Sequence, residues 1–273
     1  MLNNTPEVLI VCDSINEWNQ RITTFQLKYW RPILPEMNTH RAFSRNAASS
    51  RAKTFESRME EACEETFVPT HWNQEKRGMV GGPEFDDEVK AVINSHIQAI
   101  ASRTVAELSD LDNYIYSLTG SRIHKQYLNR YLEPFVAVDQ IITATDWSNF
   151  FKLRMAEDAQ PEIKDIAVEM FYALQDSVPN KVSKDEWHLP YISDKDLVDY
   201  GLEMCKKISV ARCARVTYKV YNGQGDIDRD MRLYDRLLQS GHMSPFEHVC
   251  TPCYGKYYNI EGWKSMRNLI ECQ

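Results

Sequence analysis

The alternation of apolar and polar positions starts near the beginning of the chain. Residues 7–13 read as a buried strand, and residues 22–30 alternate, with Phe25, Leu27 and Tyr29 on one face and Gln26 and Lys28 on the other. Pro32 and Pro35 stop that second strand, and Pro35 suits the first turn of a short helix. Residues 73–84, NQEKRGMVGGPE, form a loop rich in Gly and closed by Pro. From there the pattern turns helical: Val89, Val92, Ile93, Ile97 and Ile100 recur at helical spacing up to about Leu111. Further helices are predicted over residues 121–132, from Asp146 through Phe150 and Leu153, and from Pro161 through Ile163, Ile166, Met170 and Leu174. The last part predicts a helix over 194–207, a short strand over 215–220, a Gly-containing loop and a helix over 228–239.

Strands in the outer segments and helices between them predict an α+β domain, a small antiparallel-containing sheet with a helical bundle, in which both chain ends feed one sheet. A chain of 273 residues, 43% of them hydrophobic, can bury one sizeable core. The expectation is a single domain, with sheet and motif over 1–52, helices over 85–180 and a distinct last segment over 190–273.

Charge narrows the partners. With 39 acidic against 32 basic residues the formal net charge is −7, which argues against a surface that tracks nucleic-acid phosphates. No run approaches the roughly 18 to 20 apolar residues needed to span a bilayer, and the first residues show neither a basic flank nor a long apolar core. The expectation is a cytoplasmic protein with no membrane and no nucleic-acid partner. Seven cysteines without regular spacing fit reduced thiols better than a disulfide framework.

Against that acidic background, residues 39–51, THRAFSRNAASSR, gather His40, Arg41, Arg45 and Arg51 among Ser44, Asn46, Ser49 and Ser50. Forked guanidinium donors with shorter Ser and Asn donors suit a phosphate, a flavin pyrophosphate or carboxylates. A solvated turn with local side-chain caps is the plainer alternative. Arg130 and Arg154 each end an apolar helical stretch, where an Arg head reaches past a buried face or simply complements a helix C-terminus. GHMSPFEH at 241–248 places His242 and His248 around Ser244, Phe246 and Glu247, an acid/base-capable set, or else a capping box of Ser244 with Glu247. Cys250 and Cys253 form a CxxC pair, open to redox chemistry or, with His248 and Cys272, to zinc. The strand pattern there sends the two thiols to opposite faces.

Together these pieces resemble the flavin-dependent thymidylate synthases, the ThyX family. Its signature reads RHRxxSxNxxSxR, and the chain carries His40, Arg41, Ser44, Asn46, Ser49 and Arg51 in that register. ITTFQLKYWRPILPEMNTHR, RYLEP, NFFKLRMAEDAQPEI, ARVTY and GHMSPFEH look like further family segments. In the family, segments like the last two precede the signature; here they follow it, as in a circular permutation, which is physically sound if the usual termini lie close and the break falls in an exposed connection.

The resemblance implies that FAD, reduced by NADPH, serves the transfer of a one-carbon unit from methylenetetrahydrofolate to C5 of deoxyuridine monophosphate, in a homotetramer and without a cysteine nucleophile. By position, Ser49, Arg51 and Arg130 would bind the nucleotide, Arg154 would hold the pyrimidine and act in catalysis with Ser49, and His40, Arg41, Asn149, Thr217, His242, Ser244 and Glu247 would line the flavin. The departures are informative. Thr39 stands where the signature has Arg, Ala47 where the family has Glu, Glu36 where a nucleotide-contacting Gln is expected, and Thr143 and Thr145 replace an Asn and an Arg around FAD. A carboxylate at position 36 accepts from an exocyclic amine and cannot donate to a carbonyl, which opens deoxycytidine monophosphate as substrate, or hydroxymethylation as outcome. A third possibility is a family-derived binding module that has lost catalysis.

Overall fold

The computed structural model describes residues 6–215 and 226–271. The first two strands, β1 (Glu7–Ile15) and β2 (Arg21–Trp30), pair antiparallel. Pro32 and Pro35 then divert the chain through a 3-10 turn into the short helix α1 (Leu34–Asn38), and the opening motif supplies the strand β3 (Ser44–Ala47). Helix α2 (Phe55–Glu64) is N-capped by Thr54. Helix α3 (Asp87–Thr119) is N-capped by Asp86 and ends on Gly120 at φ 69°, a turn and more beyond the predicted limit.

After α4 (Lys125–Tyr131) the expected helical run is interrupted by a strand, β4 (Ala137–Ala144), which the sequence reading missed. It lies between β2 and β3 and is almost wholly buried, so its apolar and β-branched residues show none of the alternation that marks a half-buried strand. Helices α5 (Ser148–Arg154) and α6 (Pro161–Asp176) follow, α6 opening on Pro161, and then the two-residue strand β5 (Asn180–Lys181). The sheet order is β3-β4-β2-β1-β5, antiparallel except for the β1–β5 edge. Phe25, Leu27 and Tyr29 share one buried face, as predicted, and pack with Val138 and Ile142 against Phe150, Ile163, Ile166 and Met170 of α5 and α6.

The opposite face of the sheet meets α7 (Asp194–Arg215), broken at Gly201. Of the short strand predicted over 215–220, Arg215 is the last helical residue of α7 and the rest lies outside the described residues. Helix α8 (Ile227–Gln239) packs on α7 through Tyr234 and Leu237. The last elements are β6 (Cys250–Tyr257), β7 (Ile260–Ser265) and α9 (Met266–Glu271). Here the expectation that both chain ends feed one sheet is corrected. Among the described residues β6 and β7 form a separate two-stranded sheet, linked to the rest by an isolated bridge of Cys250 to His188 and by Trp263, Cys250 and Ile260 packing on Ile22 and Val182.

The seam between the two sheets is tight at Gly262. Its φ is 77°, its carbonyl accepts from Asn16 Nδ2 at 2.7 Å, and a methyl group there would sit 2.5 Å from Cβ of Gln20. Gly262→Ala therefore combines left-handed backbone strain with an unavoidable clash, and is expected to cost about 2–4 kcal/mol. Thermal denaturation reads it, and an unchanged melting temperature would refute the close approach.

Candidate active site

The opening motif is held in place from below. The turn that follows β3 is pinned by Arg31, which donates to the Ala48 carbonyl at 3.0 Å and to Ser50 Oγ at 3.3 Å, and by the fully buried Asn129, which donates to the Ser50 and Lys53 carbonyls. Glu133 accepts from Ser50 and pairs with Arg31 at 3.1 Å. With its backbone fixed, this turn exposes Ser49 and Arg51.

Both face a cleft of about 950 Å³, whose other walls come from the start of α4 and from α7 and α8. Arg51, Lys125, Arg215, Arg229, Arg232 and Arg236 line it with His124 and His242, and among the described residues no Asp or Glu does. In a chain of net charge −7 this concentration of cations in one cleft suits an anionic ligand. Arg215 is balanced by the buried Asp230 of α8. Arg51, Lys125, Arg229, Arg232 and Arg236 make no salt bridge among the described residues.

Asn46 ties the motif to the last third of the chain. Its amide donates to the Cys213 carbonyl of α7 at 3.2 Å, and its Oδ1 accepts from Ser244 Oγ at 3.3 Å. The capping box offered for Ser244 and Glu247 does not form. Ser244 opens a 3-10 turn without a side-chain cap, and Glu247 instead pairs with Arg267 at 2.7 Å. Glu247 and Ser44 border a second, smaller pocket of about 170 Å³ with Tyr257, Tyr258 and Asn259 of the β6–β7 hairpin.

A third group surrounds Arg154 at the end of α5. Its Nε donates to His40 Nε2 at 2.8 Å, and one Nη donates to Thr39 Oγ1 at 3.2 Å and to the Glu36 carbonyl at 3.4 Å. Burial, then the cations of Arg154 and Arg45, lower the His40 pKa to about 4. His40 is therefore neutral with its proton on Nδ1, an acceptor that orients the guanidinium. Arg45 donates to the His40 and Asn38 carbonyls and fixes the same loop. Glu36 Oε2 is buried without a hydrogen-bond partner.

His248, read from sequence as acid/base-capable, is corrected by its surroundings. It is fully buried, and its Nδ1 ends a hydrogen-bonded chain that runs through Thr143, Thr24 and His188 to Ser14, every link between 2.6 and 2.9 Å. Thr24 and Thr143 face each other across β2 and β4. Burial above all lowers both histidines to a pKa of about 3, so neither exchanges protons with a ligand near neutral pH. Thr143 is thus structural, and Thr145 accepts from the Glu261 amide. Of the CxxC pair, Cys250 is buried with its thiol pushed upward by burial, and Cys253 lies half-buried beside the Tyr257 hydroxyl.

Of the residues singled out from sequence, the structure brings Ser49, Arg51 and His242 into the cleft, and Glu36, His40 and Arg154 into the group around α5. Arg41 is exposed beside Arg45. Arg130 and Asn149 are exposed on α4 and α5 and line neither pocket. Thr217 lies outside the described residues. The sequence reading missed Lys125 and the α8 arginines. Positions 229, 232 and 236 recur at i, i+3 and i+7, which was the available signal.

A mixed sheet carrying an exposed Ser/Arg motif beside a cation-lined cleft makes this an α+β protein whose cleft has the charge to suit an anionic ligand. The family of thymidylate synthase complementing proteins, Thy1, matches over residues 18–180, more than half of the chain, and the chain belongs to that family. Among solved structures it is similar to the UMP/dUMP methylase PolB from Streptomyces cacaoi bound with 5-Br UMP. The two are 16% identical, with 63% of this chain and 89% of that one covered and a TM-score of 0.47. It is also similar to the flavin-dependent thymidylate synthase ThyX from Helicobacter pylori complexed with FAD and dUMP, at 20% identity, 56% and 67% coverage and a TM-score of 0.36. No curated protein matches the chain. Among the described residues no helix is long and apolar enough to cross a membrane.

Proposed function

We propose that the chain transfers a one-carbon unit to C5 of a pyrimidine deoxynucleotide monophosphate, in the manner of dUMP to dTMP, from methylenetetrahydrofolate and with FAD reduced by NADPH. The observation that carries this reading is the cleft, which sets Ser49 and Arg51 of the family signature among further cations and, among the described residues, no carboxylate. In this reading Ser49, Arg51 and Arg130 bind the nucleotide, and Arg154 faces the pyrimidine. His40, Arg41, Asn149, Thr217, His242, Ser244 and Glu247 belong to the flavin side. A cation-lined cleft of this size suits the phosphates of a flavin dinucleotide, and the flavin would supply the electrons that turn the transferred carbon into a methyl group. The chain's own part is to orient the nucleotide and to hold a guanidinium beside the developing ring anion.

The permuted order is supported by Asn46, whose two bonds join the signature strand to α7 and to Ser244 across the sequence gap. A homotetramer and a cytoplasmic setting complete the proposal. Incubation with FAD, NADPH, methylenetetrahydrofolate and each pyrimidine deoxynucleotide in turn, read by product mass, tests it. A colourless protein that stays folded and fails to bind added FAD would favour the binding-module reading.

A second reading is favoured by Glu36, whose buried Oε2 lacks a partner. Such a carboxylate is satisfied by an exocyclic amine, which cytosine has and uracil lacks. Glu36→Gln restores a donor, and is expected to shift the ratio of kcat/KM for dCMP over dUMP toward dUMP by about 10- to 100-fold. A ratio unmoved by the substitution would remove Glu36 from base recognition.

A further inference from the structure

Helix α8 lies beyond the residues that match the family, yet it contributes half of the cations in the cleft. Arg229, Arg232 and Arg236 fall on one helical face, while Tyr234 and Leu237 on another are buried against α7. All three arginines are exposed and turned to the cleft, opposite Arg51 and Lys125. Asp228 and Asp235 share the helix, and neither makes a salt bridge to them. Like charges at i, i+3 and i+4 repel. A row of them facing more cations, with no carboxylate among the described lining residues, is stabilised by a multiply charged anion.

One phosphate monoester carries a charge of about −1.5 to −2 and is satisfied by two or three donors. The cleft's signature wall, Ser49 and Arg51, suffices for that group. The α8 row is left over, and it is long: three forks spread over two helical turns match adjacent phosphates better than a single one. The flexible stems of Arg232 and Arg236 also let the two guanidiniums close on neighbouring phosphate groups.

We propose that Arg229, Arg232 and Arg236 form a diphosphate-binding wall, so that the cleft takes a ligand with two adjacent phosphates. This rests on the reading of the cleft as a phosphate site. The diphosphate has two possible sources, the pyrophosphate of a flavin dinucleotide or the phosphate chain of a nucleoside di- or triphosphate. The chemistry recognised is the same in both.

Isothermal titration of the full-length protein with inorganic pyrophosphate and, separately, with inorganic phosphate tests the wall directly. Pyrophosphate is expected to bind at least about tenfold tighter than phosphate, and R232A/R236A should erase that difference while leaving phosphate binding within about twofold. R232K/R236K, which keeps the charge, should retain part of it, and a circular dichroism melt confirms the fold of each variant. Equal affinity for the two anions, or a double variant that binds pyrophosphate like the parent, would overturn the proposal. Two further pairs identify the source. FAD preferred over FMN, with the preference lost in R232A/R236A, assigns the flavin, and dUDP preferred over dUMP, lost in the same way, assigns the nucleotide. Discrimination in neither pair also overturns it. Failure of the parent protein to bind dUMP, with pyrophosphate selectivity intact, would count against the nucleotide reading and not against the wall.

Discussion

Arg154→Ala is expected to lower kcat by about 10²–10³-fold with the protein still folded. The expectation comes from how the guanidinium is held. Two of its three nitrogens are spent on His40, Thr39 and the Glu36 carbonyl, which fixes the plane of the fork, and Nη1 makes no hydrogen bond among the described residues. A fixed, permanently charged donor with a free edge stabilises charge that develops on a bound ring without reorganising first. Because His40 stays neutral, its Nε2 remains an acceptor through the ordinary pH range, and the fork keeps its orientation. Arg154→Lys should recover little, since a point charge on a flexible stem cannot make the same set of bonds. The side chain is half-exposed at the end of α5, so its loss should leave the melting temperature close to that of the parent. Turnover that survives Arg154→Ala unchanged would end the assignment.

Much of the frame was legible because the chain marks its own boundaries. Proline at 32, 35 and 161 stopped or started elements where expected, and the period-2 pattern of Phe25, Leu27 and Tyr29 named the buried face of β2 correctly. β4 was not legible, because a strand buried on both faces loses its alternation and a short apolar run reads equally well as helix. The separate β6–β7 sheet was hidden for another reason. Strand propensity says that residues extend, and the partner is fixed by tertiary contacts such as Trp263 on Ile22. The signature singled out Ser49 and Arg51, which line the cleft. The α8 arginines and Lys125 belong to no motif, and only the fold brings them opposite that signature. Thr143, read from sequence as replacing an Asn around FAD, hydrogen-bonds the buried His248, a contact that only the fold reveals.

That buried contact makes stability depend on pH in a direction that can be worked out. His188 and His248 are buried and held to a pKa of about 3, while in the unfolded chain each returns to about 6.5. Above about pH 6.5 both states are neutral and the pair costs nothing. As pH falls, the unfolded chain binds two protons that the folded chain refuses, so stability is lost progressively from about pH 6.5 down to about pH 3. By pH 5 the loss is about 2 kcal/mol for each histidine, or about 4 kcal/mol for the pair. That is a large part of the 5–15 kcal/mol of typical domains, roughly speaking. His40, lowered to about 4, adds a loss of the same sign. Carboxylates such as Glu186 and Asp196, held below their ordinary range, act only at more acidic pH and leave the window between pH 7 and 5 to the histidines. Denaturant unfolding at pH 7, 6 and 5 measures the slope, and H188Q/H248Q should flatten most of it even where it lowers the stability at pH 7. A parent protein equally stable at pH 7 and pH 5, or a double variant with the parent's slope, would show that the buried chain is not what senses acid.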